Sequence, residues 1–243
     1  FMSVTVSLDA AGRYFATFLC TDVPTKDTPA TDREVGIDLG VETLATLSDG
    51  RKIGNPRHLK KYERTLAREQ RRLSRRKGAR RGEKQSMRYL KQRKRVARIH
   101  AKIADARTDA LHKVTSMLAD ENQVLCMEDL NAKGMMKNHH LAKAVTDASF
   151  GEFARLLEYK CAERGRSLVK IGRFYPSSKT CSACGHRLDA LPLSVRSWDC
   201  PACGAHHDRD VNAARNILTE GKRILSNTEG TAGHAGTVAA VSA

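Results

Sequence analysis

Two Cys-x-x-Cys knuckles, Cys181-Ser182-Ala183-Cys184-Gly185 and Cys200-Pro201-Ala202-Cys203-Gly204, constrain this chain more than any other feature; fifteen residues separate them. Four thiolates at this spacing match a zinc ribbon, in which each knuckle gives two ligands to one tetrahedral ion. Two disulfides or two chance pairs would explain the cysteines alone, but a glycine follows each knuckle, as a tight metal-binding turn requires. A structural site closes all four positions with protein ligands. Cys181, Cys184, Cys200 and Cys203 are therefore expected to hold one Zn²⁺ that shapes the chain and does no chemistry, with Trp198 covering the small module.

Directly after the ribbon, His207-Asp208-Arg209-Asp210 leads into a helix expected from Val211 to about Leu218. Asp210 sits where a helix N-cap is favoured. Two other acids close apolar strands: Asp38 in Val35–Gly40, and Glu128 at the end of Gln123–Met127. Asp38 taken alone reads as a turn-capping residue, yet a carboxylate in a buried strand is costly unless it is paired or binds a cation. Taken together, such acids suit two divalent ions, Mg²⁺ or Mn²⁺, which prefer oxygen ligands and cleave phosphodiesters when held about 3.5–4 Å apart. Spacing does not choose between Asp208 and Asp210 as the third acid.

The charge distribution names a partner class. Of 43 Lys and Arg and 27 Asp and Glu in the chain, 21 basic and only 4 acidic residues lie between Arg57 and Arg107. The remainder is nearly neutral. A block of one sign repels itself and points to a polyanion, here nucleic acid. Leu59, Tyr62, Leu66 and Leu73 follow helical spacing until a break at Gly78–Gly82. A second helix is expected from Lys84 to Asp120, with Tyr89, Val96, Ile103, Ala110 and Met117 seven apart. This predicts an antiparallel helical hairpin, apolar inside and basic outside, with Arg64, Arg68, Arg71, Arg72, Arg75, Arg76, Lys91, Arg95 and Arg98 as candidate phosphate contacts. Arg196 and Lys179 of the ribbon are further candidates.

Around these features the chain reads as mixed α/β. A β-hairpin spans Val4–Phe18, a linker 22–33, and strands Val35–Gly40, Val41–Leu47 and Arg51–Ile53 follow. Lys133–His140 reads as a mobile loop with exposed His139 and His140. Ser149 and Glu152 form a capping box for a helix ending at Gly165, and a strand covers Ser167–Ile171. A disordered tail is expected from Ser226. The length suits one core with a small added module. Cys20, Cys126 and Cys161 are scattered in apolar stretches, which suggests a reducing interior. No membrane span or signal peptide is apparent, so a cytoplasmic prokaryotic protein is expected.

Four blocks, Gly36-Ile37-Asp38-Leu39-Gly40, Met127-Glu128-Asp129-Leu130, Ser177-Ser178-Lys179-Thr180-Cys181-Ser182-Ala183-Cys184-Gly185 and Asp208-Arg209-Asp210-Val211-Asn212-Ala213-Ala214, occur in this order. They resemble the TnpB (OrfB) transposon-associated proteins, a family similar to the type V CRISPR effector nucleases. The resemblance implies an RNase H-like (RuvC) nuclease core over 34–172, interrupted by a basic helical insertion at 56–120. A zinc ribbon follows at 173–206, then the final RuvC motif and helix at 207–225 and the tail at 226–243. It assigns Asp38, Glu128 and Asp210 to catalysis and to Mg²⁺ binding, makes Asp208 a neighbour, and weakly matches Arg196 to an active-site arginine. It implies RNA-guided DNA cleavage, with a guide RNA from the transposon end and a monomer bound to RNA. Family members are longer, and 1–33 resembles only the end of their wedge domain plus a linker. The alternatives are a nuclease-inactive nucleic-acid-binding remnant and a guide-independent, structure-specific RuvC-type nuclease.

Overall fold

The computed structural model describes residues 2–21, 23, 28–77 and 84–231. Parts of the expected linker (22 and 24–27), helix break (78–83) and tail (232–243) lie outside the described residues. The chain divides into two compact units, Phe1–Lys26 with Pro56–Val114, and Asp27–Asn55 with Thr115–Ala243.

In the first unit, β1 (Ser3–Leu8) and β2 (Tyr14–Leu19) pair antiparallel. Gly12 turns between them at φ 82, a conformation that the absence of a Cβ permits. Arg13 bonds Asp9 within the turn and Asp105 on a helix, tying the hairpin tip down. Helices α1 (His58–Arg75) and α2 (Met87–Glu121) pack through Leu66, Val96 and Ile103, flanked by Leu59, Tyr62, Leu73 and Ile99. One polar residue enters this seam. Gln92 is fully buried and satisfied, donating to the Glu69 carbonyl and carboxylate while accepting from Arg76.

The seven-residue stripe fails beyond Ile103. Ala110 and Met117 are only half-buried, and burial moves to Leu111, Thr115, Leu118 and Ala119. A helix turns every 3.6 residues, so a strict seven-residue stripe drifts about 20° per repeat unless the helix supercoils. Burial follows the helical period.

The second unit is built on a five-stranded sheet. Its strands are β3 (Glu34–Leu39), β4 (Thr43–Leu47), β5 (Lys52–Gly54), β6 (Val124–Glu128) and β7 (Ser167–Ile171), in the order β5-β4-β3-β6-β7. β3, β4 and β5 form an antiparallel meander, whereas β6 and β7 run parallel to β3. Between β6 and β7 lie α3 (Ala132–Met135), α4 (His139–Ala148) and α5 (Phe150–Glu163).

Two local expectations are corrected here. Lys133–His140 is not a loop: Asn131 caps α3 by accepting from the Gly134 amide, and His139, which is exposed, opens α4. Ser149 does not build a capping box, because it sits in the left-handed region at φ 53. Its hydroxyl turns back to the Thr146 carbonyl, and Glu152 is taken by Arg155. The 149 amide already bonds the Val145 carbonyl, so the junction of α4 and α5 leaves no open helix start for a cap to serve.

The ribbon follows with β8 (Ser197–Asp199) paired to β9 (His206–Asp208), and α6 (Arg209–Thr231) closes the described chain. α6 therefore runs well past Leu218 and takes in residues 226–231, where a tail was expected. Its inner face (Ala213, Ala214, Ile217) is buried, and it lies across β3, β4, β6 and β7. Two glycines let it approach the sheet. A Cβ at Gly36 of β3 would lie 2.0 Å from the Ala214 carbonyl oxygen, and one at Gly221 of α6 would lie 2.3 Å from the Cys126 sulfur.

Gly36→Ala is expected to lower stability by about 1–3 kcal/mol, the range for overpacking a closed contact. Gly54→Ala, where nothing lies within 4 Å, should change it little. Urea-unfolding midpoints test the pair, and equal midpoints would contradict the close approach.

Candidate active site and metal centre

Strand alternation places the first two acids. In β3, Val35 and Ile37 face one side of the sheet and Gly36 and Asp38 the other. In β6, Cys126 aligns with Gly36, and the register carried one step beyond Ile37↔Met127 sets Glu128 beside Asp38. Both acids thus lie on the α6 face of the sheet. Two residues along a strand advance about 6.7 Å and four along a helix about 6 Å. With Ala214 over Gly36, Asp210, one turn earlier, falls by Asp38. Asp38, Glu128 and Asp210 all line one cleft of about 370 Å³, together with Thr46, Ser177, Arg196 and Arg209.

Their electrostatics reflect this crowding. Burial pushes Asp38 up to about 8, helped by Glu128 and then Asp210, with Arg209 opposing. Glu128 is also raised, by burial, against the pull of the Ser177 hydroxyl that donates to it at 2.5 Å. The like charges that help raise Asp38 would be relieved by a shared cation. The donors are hard oxygens, which fit Mg²⁺ or Mn²⁺.

Asp208 takes the capping role that sequence reasoning gave to Asp210. Its Oδ1 accepts from the amides of Asp210 and Val211, and its Oδ2 pairs with Lys52 of β5 at 2.7 Å. Asp210 is left free to face the cleft. Arg209 is held by the carbonyls of Pro192 and Val195. Arg196 lies at the cleft with its guanidinium on Glu42, 2.9 Å away, while Lys179 bonds the Asp189 carbonyl. The nine candidate phosphate contacts of α1 and α2 are all exposed. Among them Arg68 and Arg72 pair with Glu69, and Arg76 with Gln92.

The cysteine cluster is compact. All four sulfurs lie within 4.8 Å of one another, with Cys181 and Cys203 at 3.7 Å and Cys184 and Cys200 at 3.6 Å. A tetrahedral ion with Zn–S bonds of about 2.3 Å sets its sulfurs about 3.8 Å apart, so the cluster fits zinc. Both knuckles repeat one backbone pattern. The Cys181 amide bonds the His186 carbonyl as Cys200 does Ala205, and Gly185 and Gly204, at φ 79 and 71, bond back to Cys181 and Cys200. Trp198 packs on Cys181 and Cys200, covering the module as expected; Cys20, expected in an apolar setting, is exposed.

Sequence reasoning missed what joins cluster to cleft. Asn212 and Asn216, one turn apart on α6 and buried, both donate to the Thr180 carbonyl, and Asn216 also to that of Ser177. Asn212 accepts from the Ser182 amide inside the first knuckle. Two asparagines on an otherwise apolar helix face were the available signal.

Two family models match the chain: OrfB_IS605, described as "Probable transposase", over residues 18–139, and the Cas12f1-like TNB domain over 150–217. The chain belongs to the OrfB_IS605 family. The OrfB_IS605 match contains Asp38 and Glu128, and the TNB match contains the four cysteines and Asp210. Two curated relatives carry the name "Putative RNA-guided DNA endonuclease". One, from Streptomyces pristinaespiralis, is 50% identical over 219 residues, covering 90% of this chain and 52% of its own length. The other, InsQ of Escherichia coli (strain K12), is 33% identical over 239 residues, covering 92% and 58%. This OrfB_IS605 chain thus spans about half the length of these relatives. The fold is shared with a chain of a CRISPR-Cas12f ternary complex, at TM-score 0.55 and 22% identity, over 88% of this chain and 44% of that one. Among the described residues no helix is long and apolar enough to cross a membrane.

An acid raised on folding binds more protons folded than unfolded, so its stability contribution falls as pH rises. With zinc retained and no other divalent ion, Asp38 should cost about 1.4 kcal/mol per pH unit between its ordinary range and about 8. Thermal melts from pH 5 to 8 should fall, Mn²⁺ should restore the midpoint at pH 8, and Asp38→Asn should flatten the slope. A flat wild-type profile contradicts the crowded cluster. Metal analysis should find one zinc per chain, lost in Cys203→Ser; zinc-free protein prepared without chelator contradicts the ribbon.

Proposed function

We propose that this chain acts as a transposon-encoded, RNA-guided DNA endonuclease of the TnpB type, with Asp38, Glu128 and Asp210 as its catalytic acids. The observation that carries the reading is their convergence at one cleft from β3, β6 and α6. The sheet order, a three-stranded meander flanked by two parallel strands, supports an RNase H-like (RuvC) core. The names of the two relatives support guided DNA cleavage, and the basic surface of α1 and α2 supports a nucleic-acid partner.

Two Mg²⁺ or Mn²⁺ ions held by these carboxylates would supply an activated water and charge stabilisation on the leaving oxygen. The chain's own residues do the positioning. Ser177 orients Glu128 through its donated hydrogen bond. Asp208 and Lys52 fix the first turn of α6 and with it Asp210. Arg209, fixed by two carbonyls, counters the acids' negative charge at Asp38. Arg196 stands at the cleft as a cation for a substrate phosphate. The zinc ribbon stays structural, and the exposed Arg64, Arg68, Arg71, Arg72, Arg75, Arg76, Lys91, Arg95 and Arg98 hold guide or target phosphates in a monomer–RNA complex.

Plasmid cleavage with Mg²⁺ and co-purified RNA tests the reading. Asp38→Ala should slow cutting by more than about 100-fold, since even partners behind metal ligands contribute 10–100-fold. Equal cutting by wild type and variant would sink the assignment. RNase treatment should abolish cutting; cleavage of branched DNA that survives it would point to a guide-independent nuclease.

A further inference from the structure

One side chain of ligand chemistry touches the cysteine cluster without belonging to it. His207 is 4% exposed, and its Nε2 lies 3.0 Å from the Cys181 sulfur. The strand pair explains how it gets there. In β9 His206 and Asp208 are exposed and His207 is buried, so pleating turns that ring alone inward. Register sets it opposite Trp198 of β8, with the ring centroids 4.7 Å apart and the rings tilted by 42°. Trp198 covers the cluster by packing, since its buried indole nitrogen meets no hydrogen-bond partner among the described residues. His207 is the ring that brings a nitrogen to sulfur.

Four thiolates around one divalent ion leave the centre net negative, and hydrogen bonds to sulfur are the protein's means of offsetting that charge. Backbone amides serve two of the sulfurs: His186 donates to Cys184, and Ala202 and Cys203 donate to Cys200. At Cys181 the partner is an imidazole. A metal-bound sulfur has lost its proton and can only accept, so Nε2 carries the hydrogen and His207 is the donor. The nitrogen is not a fifth ligand, because the four cysteines already fill a tetrahedral site. The same strand leads on to the cleft. Asp208 caps α6 and pairs with Lys52, and Asp210 lines the cleft two residues later.

We propose that His207 is a positioning residue of the metal centre, donating Nε2–H to the Cys181 thiolate and thereby pinning β9, and the start of α6 behind it, to the ribbon. This rests on zinc being held by the four cysteines and is independent of the nuclease reading of the cleft.

Two substitutions separate the nitrogen from the ring. His207→Phe keeps a ring against Trp198 and removes the donor, whereas His207→Gln gives up the ring and keeps an N–H at similar reach. In competition with a chromophoric chelator, His207→Phe should bind zinc about 10- to 100-fold more weakly, the usual loss for a partner behind a metal ligand. His207→Gln should bind it as the wild type does. Cobalt substitution gives a second readout. Without the N–H the sulfur lone pairs lie higher in energy, so the sulfur-to-cobalt charge-transfer band should move to longer wavelength in His207→Phe and stay in place in His207→Gln. Nitrogen NMR of histidine-labelled, zinc-loaded wild-type protein needs no variant and should find His207 protonated at Nε2. Wild-type affinity in His207→Phe, equal weakening in both variants, or a bare Nε2 overturns the proposal. Zinc content of the wild type is measured first. A zinc-free chain prepared without chelator brings down the ribbon and this proposal together, whereas a loaded chain with any of those results brings down the proposal alone.

Discussion

A side chain at residue 36 would meet the Ala214 carbonyl 2.0 Å away, so β3 and α6 touch backbone to backbone, and the positions of the three acids follow from that contact. Strand pleat puts Asp38 on the same face as Gly36, and helical rise puts Asp210 one turn from Ala214. Parallel pairing with β6 adds Glu128 without further help. A helix even a few ångströms higher would leave Asp210 out of reach of its partners. Gly221 repeats the device over Cys126, which fixes the middle of the helix as well as its first turns.

The ribbon belongs to the same construction. Its first knuckle is bound to α6 by Asn212 and Asn216, and the segment they grip contains Ser177, whose hydroxyl bonds Glu128. Arg209, at the start of α6, reaches back to the ribbon carbonyls of Pro192 and Val195. The cysteine cluster thus shapes a segment that touches both Glu128 and the helix bearing Asp210. Its contribution to the cleft is mechanical, transmitted through buried amide hydrogen bonds that are costly to leave unmade.

The features legible in the sequence were those with a fixed spacing or a strong period. The two knuckles, the strands closed by Asp38 and Glu128, and the start of the helical hairpin all read directly. The misreadings share a cause, since each depended on a competing local geometry. Ser149 and Glu152 have the composition of a capping box, but the left-handed backbone at Ser149 removes the open helix end. Asp208 and Asp210 both suit an N-cap, and Lys52, which is 156 residues from Asp208, helps hold the one that serves. Gln92, for which the sequence offered no reading, has no local signal of its burial between Glu69 and Arg76. The helix was expected to stop near Leu218, whereas α6 continues through Gly221, which buries against Cys126. Such roles depend on partners far away in sequence, and no local pattern records them.

The central claim is that Asp38, Glu128 and Asp210 form one hard-cation site and that Asp208 stands outside it. Mn²⁺ binding, followed by electron paramagnetic resonance on zinc-loaded protein, tests it most directly. Asp38→Asn, Glu128→Gln and Asp210→Asn should each lose Mn²⁺ binding, and Asp208→Asn should retain it. Full binding in Asp210→Asn, with loss in Asp208→Asn, would contradict the account.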